Sequence, residues 1–141
     1  MKTLIEQYIE SNFFGKLLGM DFEIIEPGKV VYKLEISVNH LATPNAVHGG
    51  CLSSLLDATM GVGALSLVEK DFCVVSTLEM KVSFLESVLI NDKLISMSNI
   101  IRKGRKIIFA EADIKNQNDQ LVAKGSGTFF IVDGLKAGYK K

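Results

Sequence analysis

His48-Gly49-Gly50-Cys51-Leu52-Ser53-Ser54-Leu55-Leu56-Asp57-Ala58-Thr59-Met60-Gly61-Val62-Gly63-Ala64-Leu65-Ser66-Leu67-Val68 holds a single acid, Asp57, and no Lys or Arg. Its length alone would let it cross a membrane. Its four glycines and an acid near the midpoint argue otherwise, since a carboxylate at that depth costs about 2.5–3.5 kcal/mol on insertion scales. A helix that is apolar on every side within a chain of sheet-like segments is a buried core helix.

The segments around it have strand character. After the helix come four runs, Cys73–Leu85, Lys93–Arg102, Lys106–Asn116 and Gln120–Ile131. Lys103-Gly104-Arg105 and Asn116–Asp119 are good hairpin turns between them. Before the helix, Val30, Tyr32, Leu34, Ile36 and Val38 alternate and share one face. Phe22, Ile24 and Ile25 precede them across the turn dipeptide Pro27-Gly28. Thr3 to Phe13 is a short amphipathic helix with Leu4, Ile5, Tyr8 and Ile9 on one side. Phe14–Gly19 is a connector, and Asn39–Val47 is a loop. The order is helix, hairpin, long buried helix and a four-strand meander. It predicts an α+β protein in which a curled antiparallel sheet wraps around one long buried helix. The side of the helix that the sheet leaves open is expected to meet another subunit.

The chain has 141 residues, with 16 basic and 16 acidic side chains in balance. That favours a single domain spanning residues 1–141, with an N-terminal helix over 1–14 and a solvated tail over 133–141. Nothing concentrates positive charge as a nucleic-acid face would. Cys51 and Cys73 follow no pairing pattern, so a reduced, cytoplasmic setting is expected. The first fifteen residues, with Glu6 and Glu10, do not read as a signal peptide. No cofactor motif and no metal-ligand spacing is apparent.

His48-Gly49-Gly50 stands where the loop becomes the helix. The first turn of a helix has free N–H groups and a positive dipole end. Glycines there let a ligand approach the backbone, so the turn is a donor for a developing oxyanion. The plainer reading is a flexible helix start. Asp57 is an isolated acid on an apolar helix, and such acids mark sites more often than chance. Its plainer reading is an acid bonded at an interface. Gly49 and Asp57 are eight positions apart, or roughly 12 Å along the axis at about 1.5 Å per residue. They do not reach one reacting atom within a single chain. A two-fold dimer with antiparallel helices would bring them together twice.

Asn45-Ala46-Val47-His48-Gly49-Gly50-Cys51-Leu52 followed by Leu55-Leu56-Asp57 resembles the HGG-type hotdog thioesterases of the phenylacetic-acid-degradation group. Val75 to Leu85 is similar to that family's second strand, and Arg102-Lys103-Gly104-Arg105-Lys106 looks like its basic hairpin turn. The resemblance implies a thioesterase acting on acyl-CoA. It implies that the Gly49 N–H polarises the thioester carbonyl and that Asp57 activates water or attacks directly. Thr77 would help to hold the water, and His48 would orient the loop. Gly50 and Asn45 would line the substrate's approach, and Arg102, Lys103 and Arg105 would meet the nucleotide end of coenzyme A. A homodimer with shared sites follows, and a homotetramer built as a dimer of dimers. The family commonly has Asn or Gln six residues before the histidine, where this chain has Ala42. Asn45 stands where the family usually has Gly, and it is read as a turn residue that tolerates the left-handed backbone.

Cys51 at the helix start is a second conceivable nucleophile, because such positions favour the thiolate. Cys73 reads as a small buried apolar residue. Three functions compete. The first is hydrolysis of a small aromatic or short- to medium-chain acyl-CoA. The second is acyl-CoA binding or sensing without catalysis, which Ala42 favours. The third is a hydratase or dehydratase, which other hotdog branches perform. Met60, Phe84 and Phe22 are candidates for the acyl tunnel.

Overall fold

The computed structural model describes residues 1–141. Its first helix, α1 (Leu4–Ser11), opens on a reciprocal cap in which Glu6 N–H donates to the Thr3 hydroxyl and Thr3 N–H donates to the Glu6 carboxylate. Two orphan donors of the first turn are thus satisfied at once. The chain does not then run on as a connector. Asn12 breaks the helix, and its side chain accepts from Gly15 N–H to start α2 (Phe13–Leu18). Asn is a strong N-cap, so the signal for a second helix was present. Gly19, at φ +78°, ends α2 in the left-handed conformation.

Eight strands follow: β1 (Asp21–Glu26), β2 (Lys29–Glu35), β3 (Leu41–Thr43), β4 (Ala46–Val47), β5 (Cys73–Phe84), β6 (Lys93–Lys103), β7 (Ile107–Lys115) and β8 (Leu121–Asp133). Between β4 and β5 lies α3 (Gly49–Val68). The main sheet is antiparallel in the order β1-β2-β6-β7-β8-β5, and β3 and β4 form a separate small hairpin. Only β6, β7 and β8 form a meander. The expected fourth member, β5, lies at the far edge beside β8. The chain reaches β6 by crossing from β5 to the free side of β2, where Ile36 N–H donates to Asp92 C=O and Asn91 N–H to Ile36 C=O. This crossing carries the sheet round both sides of α3. The alternation in β2 stops at Ile36. Ser37 caps a 3₁₀ turn over Val38–His40, so Val38 is exposed instead of sharing the inner face.

The inner face meets α3. Leu55, Leu56 and Met60 are fully buried among Val30, Tyr32, Leu34, Ile108, Ile114 and Phe129. Each such side chain contributes about 1.5–3 kcal/mol when taken from water. α3 has the length and apolar composition of a membrane span, but the sheet occupies most of its surface. It is not apolar all round. The strip left half-open is Ser53, Ser54, Asp57, Ala58 and Gly61, small residues around one acid.

The back half of α3 is tied to the β1–β2 turn. Ser98 Oγ donates to Gly28 C=O and accepts from Val30 N–H, both at 2.9 Å. Gly28 N–H donates to Ser66 Oγ, which donates to Gly63 C=O. Gly63 is what admits Ser98, since a Cβ there would stand 2.7 Å from Ser98 Oγ. Ser98→Ala leaves a buried donor and a buried acceptor unpaired, so it is expected to lower unfolding free energy by about 2–4 kcal/mol. Urea denaturation measures this, and a loss below about 0.5 kcal/mol would show that the tie contributes nothing net.

Candidate active site

The loop before α3 is pinned by His40, which is buried. Ser37 N–H donates to His40 Nδ1 at 2.9 Å, so the ring proton sits on Nε2, which donates to Leu18 C=O at 2.7 Å. His40 C=O in turn accepts from His48 N–H at 2.8 Å. His48 is the N-cap of α3, and its Nδ1 accepts from Gly50 N–H at 2.7 Å. The imidazole is therefore a capping group with one nitrogen engaged. Gly50 must be glycine, because a Cβ would stand 2.8 Å from that same nitrogen. Cys51 N–H donates to His48 C=O at 2.9 Å. In the first turn of α3, Gly49 N–H is left without an acceptor. Gly49 lies against Phe84 in a shallow cavity closed by Leu85 and Val88.

Asp57 lies two turns further along. It is half-buried, not sealed in the core as expected. Thr77 on β5 donates its hydroxyl to Asp57 Oδ1 at 2.7 Å. β5 has a bulge between Thr77 and Glu79 at this point, and bulges re-aim side chains where they occur. Asp57 and Thr77 open into a cavity of about 300 Å³ that also meets Tyr8, Gly61, Leu65 and Tyr139. Burial pushes the Tyr8 hydroxyl above the usual tyrosine range, and the negative charge of Asp57 adds to the rise. Tyr32 is raised further, again chiefly by burial, with the neighbouring Tyr8 hydroxyl adding to the rise.

The structure thus brings Asp57 and Thr77 together and leaves Gly49 in a different cavity of the same chain. His48 and Gly50 line a third hollow with Asn39, His40 and Cys51. Asn39 faces the same hollow as His48, whereas Ala42 is exposed on β3. Asn45 is in the exposed β3–β4 turn but is not left-handed. Thr43 Oγ1 shapes that turn by accepting from Ala46 N–H at 3.1 Å. Arg102, Lys103 and Arg105 are exposed at the β6–β7 turn, and none has an acidic partner within ion-pair distance. Lys103 pairs with Ile108, Ile108 with Phe129 and Phe129 with Thr77. Three strand spacings of about 4.8 Å put the basic turn roughly 14 Å from Thr77 along one cross-strand row.

Several expectations are corrected. Cys51 is buried and makes a poor nucleophile, because desolvation pushes its thiol up, not down. Cys73 is only half-buried. Met60 is sealed in the core, and Phe22 packs on the Tyr8 and Tyr32 rings, so neither lines the Asp57 cavity. Phe84 lines the Gly49 cavity. Residues 133–141 are not a free tail, since Tyr139 N–H donates to Gly134 C=O and Gly134 N–H to Phe72 C=O, both at 2.9 Å. Tyr8 and Tyr139 escaped the sequence reading. Tyr8 looked like one more apolar residue of a helix face, and Tyr139 stood alone among lysines and glycines.

Comparison with known proteins agrees with this architecture. A family model described as the thioesterase superfamily matches residues 44–123, more than half of the chain. The solved structure of the PaaI protein from the phenylacetic acid degradation operon of Escherichia coli superposes with a TM-score of 0.85 at 22% identity, covering 92% of this chain and 91% of that one. A conserved protein of Pseudomonas aeruginosa does so with a TM-score of 0.78 at 30% identity, covering 84% and 93%. A protein of Streptococcus mutans solved bound to acetyl CoA gives 0.74 at 25% identity, covering 81% and 89%. The curled sheet around α3 is the hotdog fold, and the chain belongs to the thioesterase superfamily.

Proposed function

We propose that this protein is an acyl-CoA thioesterase of the HGG type, working as a homodimer in which Asp57 of one subunit acts with Gly49 of the partner subunit. The observation that carries the reading is the Thr77–Asp57 hydrogen bond at the mouth of a cavity. Thr77 engages Oδ1 and fixes the plane of the carboxylate, which leaves Oδ2 to accept a proton from water. That water attacks the thioester carbon, and its proton passes to Asp57. Negative charge gathers on the carbonyl oxygen, where an unengaged backbone N–H stabilises it best. Gly49 N–H is such a donor. As the tetrahedral intermediate collapses, the C–S bond breaks. Coenzyme A leaves as its thiolate and takes up the proton, and the free acid remains. Direct attack by Asp57 through an anhydride uses the same groups.

The dimer is supported by what the sheet leaves open. β5 is an edge strand of twelve residues with an exposed Leu78, beside the half-open strip of α3. Long unpaired edges are templates for pairing with another chain. Exposed Ile95 and Met97 on the outer face of β6 support a further, tetrameric contact. The acetyl CoA bound by the streptococcal neighbour supports the ligand class, and the unpaired Arg102, Lys103 and Arg105 suit the phosphates of its nucleotide end. Ala42, in place of an amide, favours a second reading, acyl-CoA binding without turnover.

Purified protein should hydrolyse members of an acyl-CoA panel, and Asp57→Ala should lose about 10²–10⁴-fold in kcat. Equal turnover by Asp57→Ala would leave the binding reading in possession. Gly49→Pro removes the N–H at a position where proline suits the helix start, and it should be as inactive. Mixing inactive Asp57→Ala chains with inactive Gly49→Pro chains should restore one site in each mixed dimer. No recovery in confirmed mixed dimers would sink the shared site. Single-turnover hydrolysis in heavy-oxygen water separates the two chemistries, because label enters Asp57 only if the carboxylate attacks.

Cys51 has no part in this reaction. Its thiol, like the Tyr8 and Tyr32 hydroxyls, is raised by burial. The folded state holds these protons longer than the unfolded chain does. Their contribution to stability is thus fully present below pH ~8.5 and is lost as pH rises through the ordinary thiol and phenol values of about 8.5 and 10. Thermal melts from pH 7 to 11 should show Tm falling through that window. Native alkylation of Cys51 at pH 8 should be slower than in urea by at least about tenfold. Rapid alkylation accompanied by loss of activity would restore the thiol as a candidate.

A further inference from the structure

Asp57, Gly61 and Leu65 are each four residues apart and follow one face of α3, opposite Thr77, Val75 and Val74 on β5. The trough between them begins at the carboxylate and runs roughly 12 Å to Leu65 at about 1.5 Å per residue. Its middle is held open by Gly61. A glycine inside a helix costs about 1 kcal/mol relative to Ala, and packing does not demand it here. A Cβ would make only an ordinary contact, 3.6 Å from Phe129.

The far end is closed by two segments remote in sequence. Leu65 and Val74 form a small cluster with Leu4, against which Tyr8 and Tyr139 pack. Both tyrosines, with Ala137, line the cavity. They are held in place by a reciprocal pair of hydrogen bonds. Gln7 Nε2 donates to Lys140 C=O at 2.6 Å, and Lys140 N–H donates to Gln7 Oε1 at 2.9 Å. One glutamine side chain thus holds the backbone of segment 134–140 as a neighbouring strand would, and it neighbours Tyr8 on α1.

We infer that Tyr8 and Tyr139, clasped by Gln7 and Lys140, are the end wall of the acyl subsite and set the longest acyl group the protein accepts. This rests on the proposed thioesterase site, because it takes the Asp57 trough as the acyl channel. An extended chain advances about 1.2 Å per bond, so about ten carbons fill the trough before meeting the wall. Acyl groups up to that length, or compact rings, fit within it. A sixteen-carbon chain must displace the wall.

The test measures both turnover and equilibrium binding of butyryl-, octanoyl- and palmitoyl-CoA, with binding read on the Asp57→Asn form so that the ligand persists. The wild-type background should prefer octanoyl- to palmitoyl-CoA. Tyr139→Ala and Gln7→Leu should each raise the palmitoyl-to-octanoyl ratio by about tenfold or more, since burying two further methylenes is worth about that much in affinity. Tyr139→Phe, which restores the ring without the hydroxyl, should return the ratio toward the starting value. Gly61→Leu should move the preference toward butyryl-CoA. Circular dichroism and Tm check that each variant is folded, and the two wall variants guard against the failure of either one. An unchanged ratio in folded Tyr139→Ala and Gln7→Leu overturns the wall. So does a preference for palmitoyl-CoA in the wild-type background. The ratio is read from binding as well as turnover. Loss of all hydrolysis with a shifted binding ratio would remove the thioesterase reading and leave the wall standing.

Discussion

Burial of α3 is the constraint from which the rest of the molecule follows. A helix carrying Leu55, Leu56, Met60 and Val62 cannot lie on a sheet as a surface helix does, because its apolar surface is too wide for one flat contact. The sheet must curl. It does so by placing β2 and β6 on one flank and β5 and β8 on the other, and by passing the chain between the flanks through the segment that ends at Asp92. Gly63 and Gly125 bring helix and strands close enough for this. Cβ atoms at those positions would press on Ser98 and Leu56 respectively.

The same constraint leaves one strip of α3 uncovered, and Asp57 lies on it. Asp57 is on the strip because a carboxylate on the covered side would have no water and no partner, at a cost of several kcal/mol. On the open side it keeps one oxygen in the Thr77 hydrogen bond and the other free. Gly49 is confined to the helix start, since only there does the backbone present an N–H that the helix itself does not use. In the proposed reaction, an acid two turns away from its donor is thus a consequence of where a helix can offer each kind of group, and the proposed two-chain assembly is what would bring them together.

The sheet and its wrapped helix were legible because their signals are periodic and local. Alternation in β2, the glycine turns and a long acid-poor segment each survive in a single stretch of residues. The positions of the candidate residues Gly49, His48, Asp57 and Thr77 were legible because they lie on those elements. Legibility failed where a position depends on something distant. Ser37 ended the β2 alternation two residues early by capping a turn, so Val38 faces solvent. β5 was misplaced in the sheet because its partner β8 lies about fifty residues later, and no local pattern distinguishes pairing with β8 from pairing with β6. Cys51 was misjudged because a helix N-terminus and a buried position push a thiol in opposite directions, and only the structure shows that burial wins.

The segment after β8 is the sharpest case. Its composition, lysines and glycines around one tyrosine, is that of a solvated tail, yet every backbone N–H from Gly134 to Lys140 donates a hydrogen bond. Gln7 nevertheless holds it at Lys140 across 133 positions of sequence. Ordering such a segment costs conformational entropy at every residue, about 1–2 kcal/mol for each backbone fixed. Against that stand those seven hydrogen bonds, the one from Gln7 Nε2 to Lys140 C=O, and the packing of Tyr139 on the cluster of Leu4, Leu65 and Val74. The Tyr8 and Tyr139 end of the cavity is therefore held by two short segments remote in sequence. α3 and β5, which form the trough itself, are fixed by the whole core. On the proposed reading, substitutions in these two segments alter acyl preference, while Asp57 and Thr77 stay on elements that the core holds.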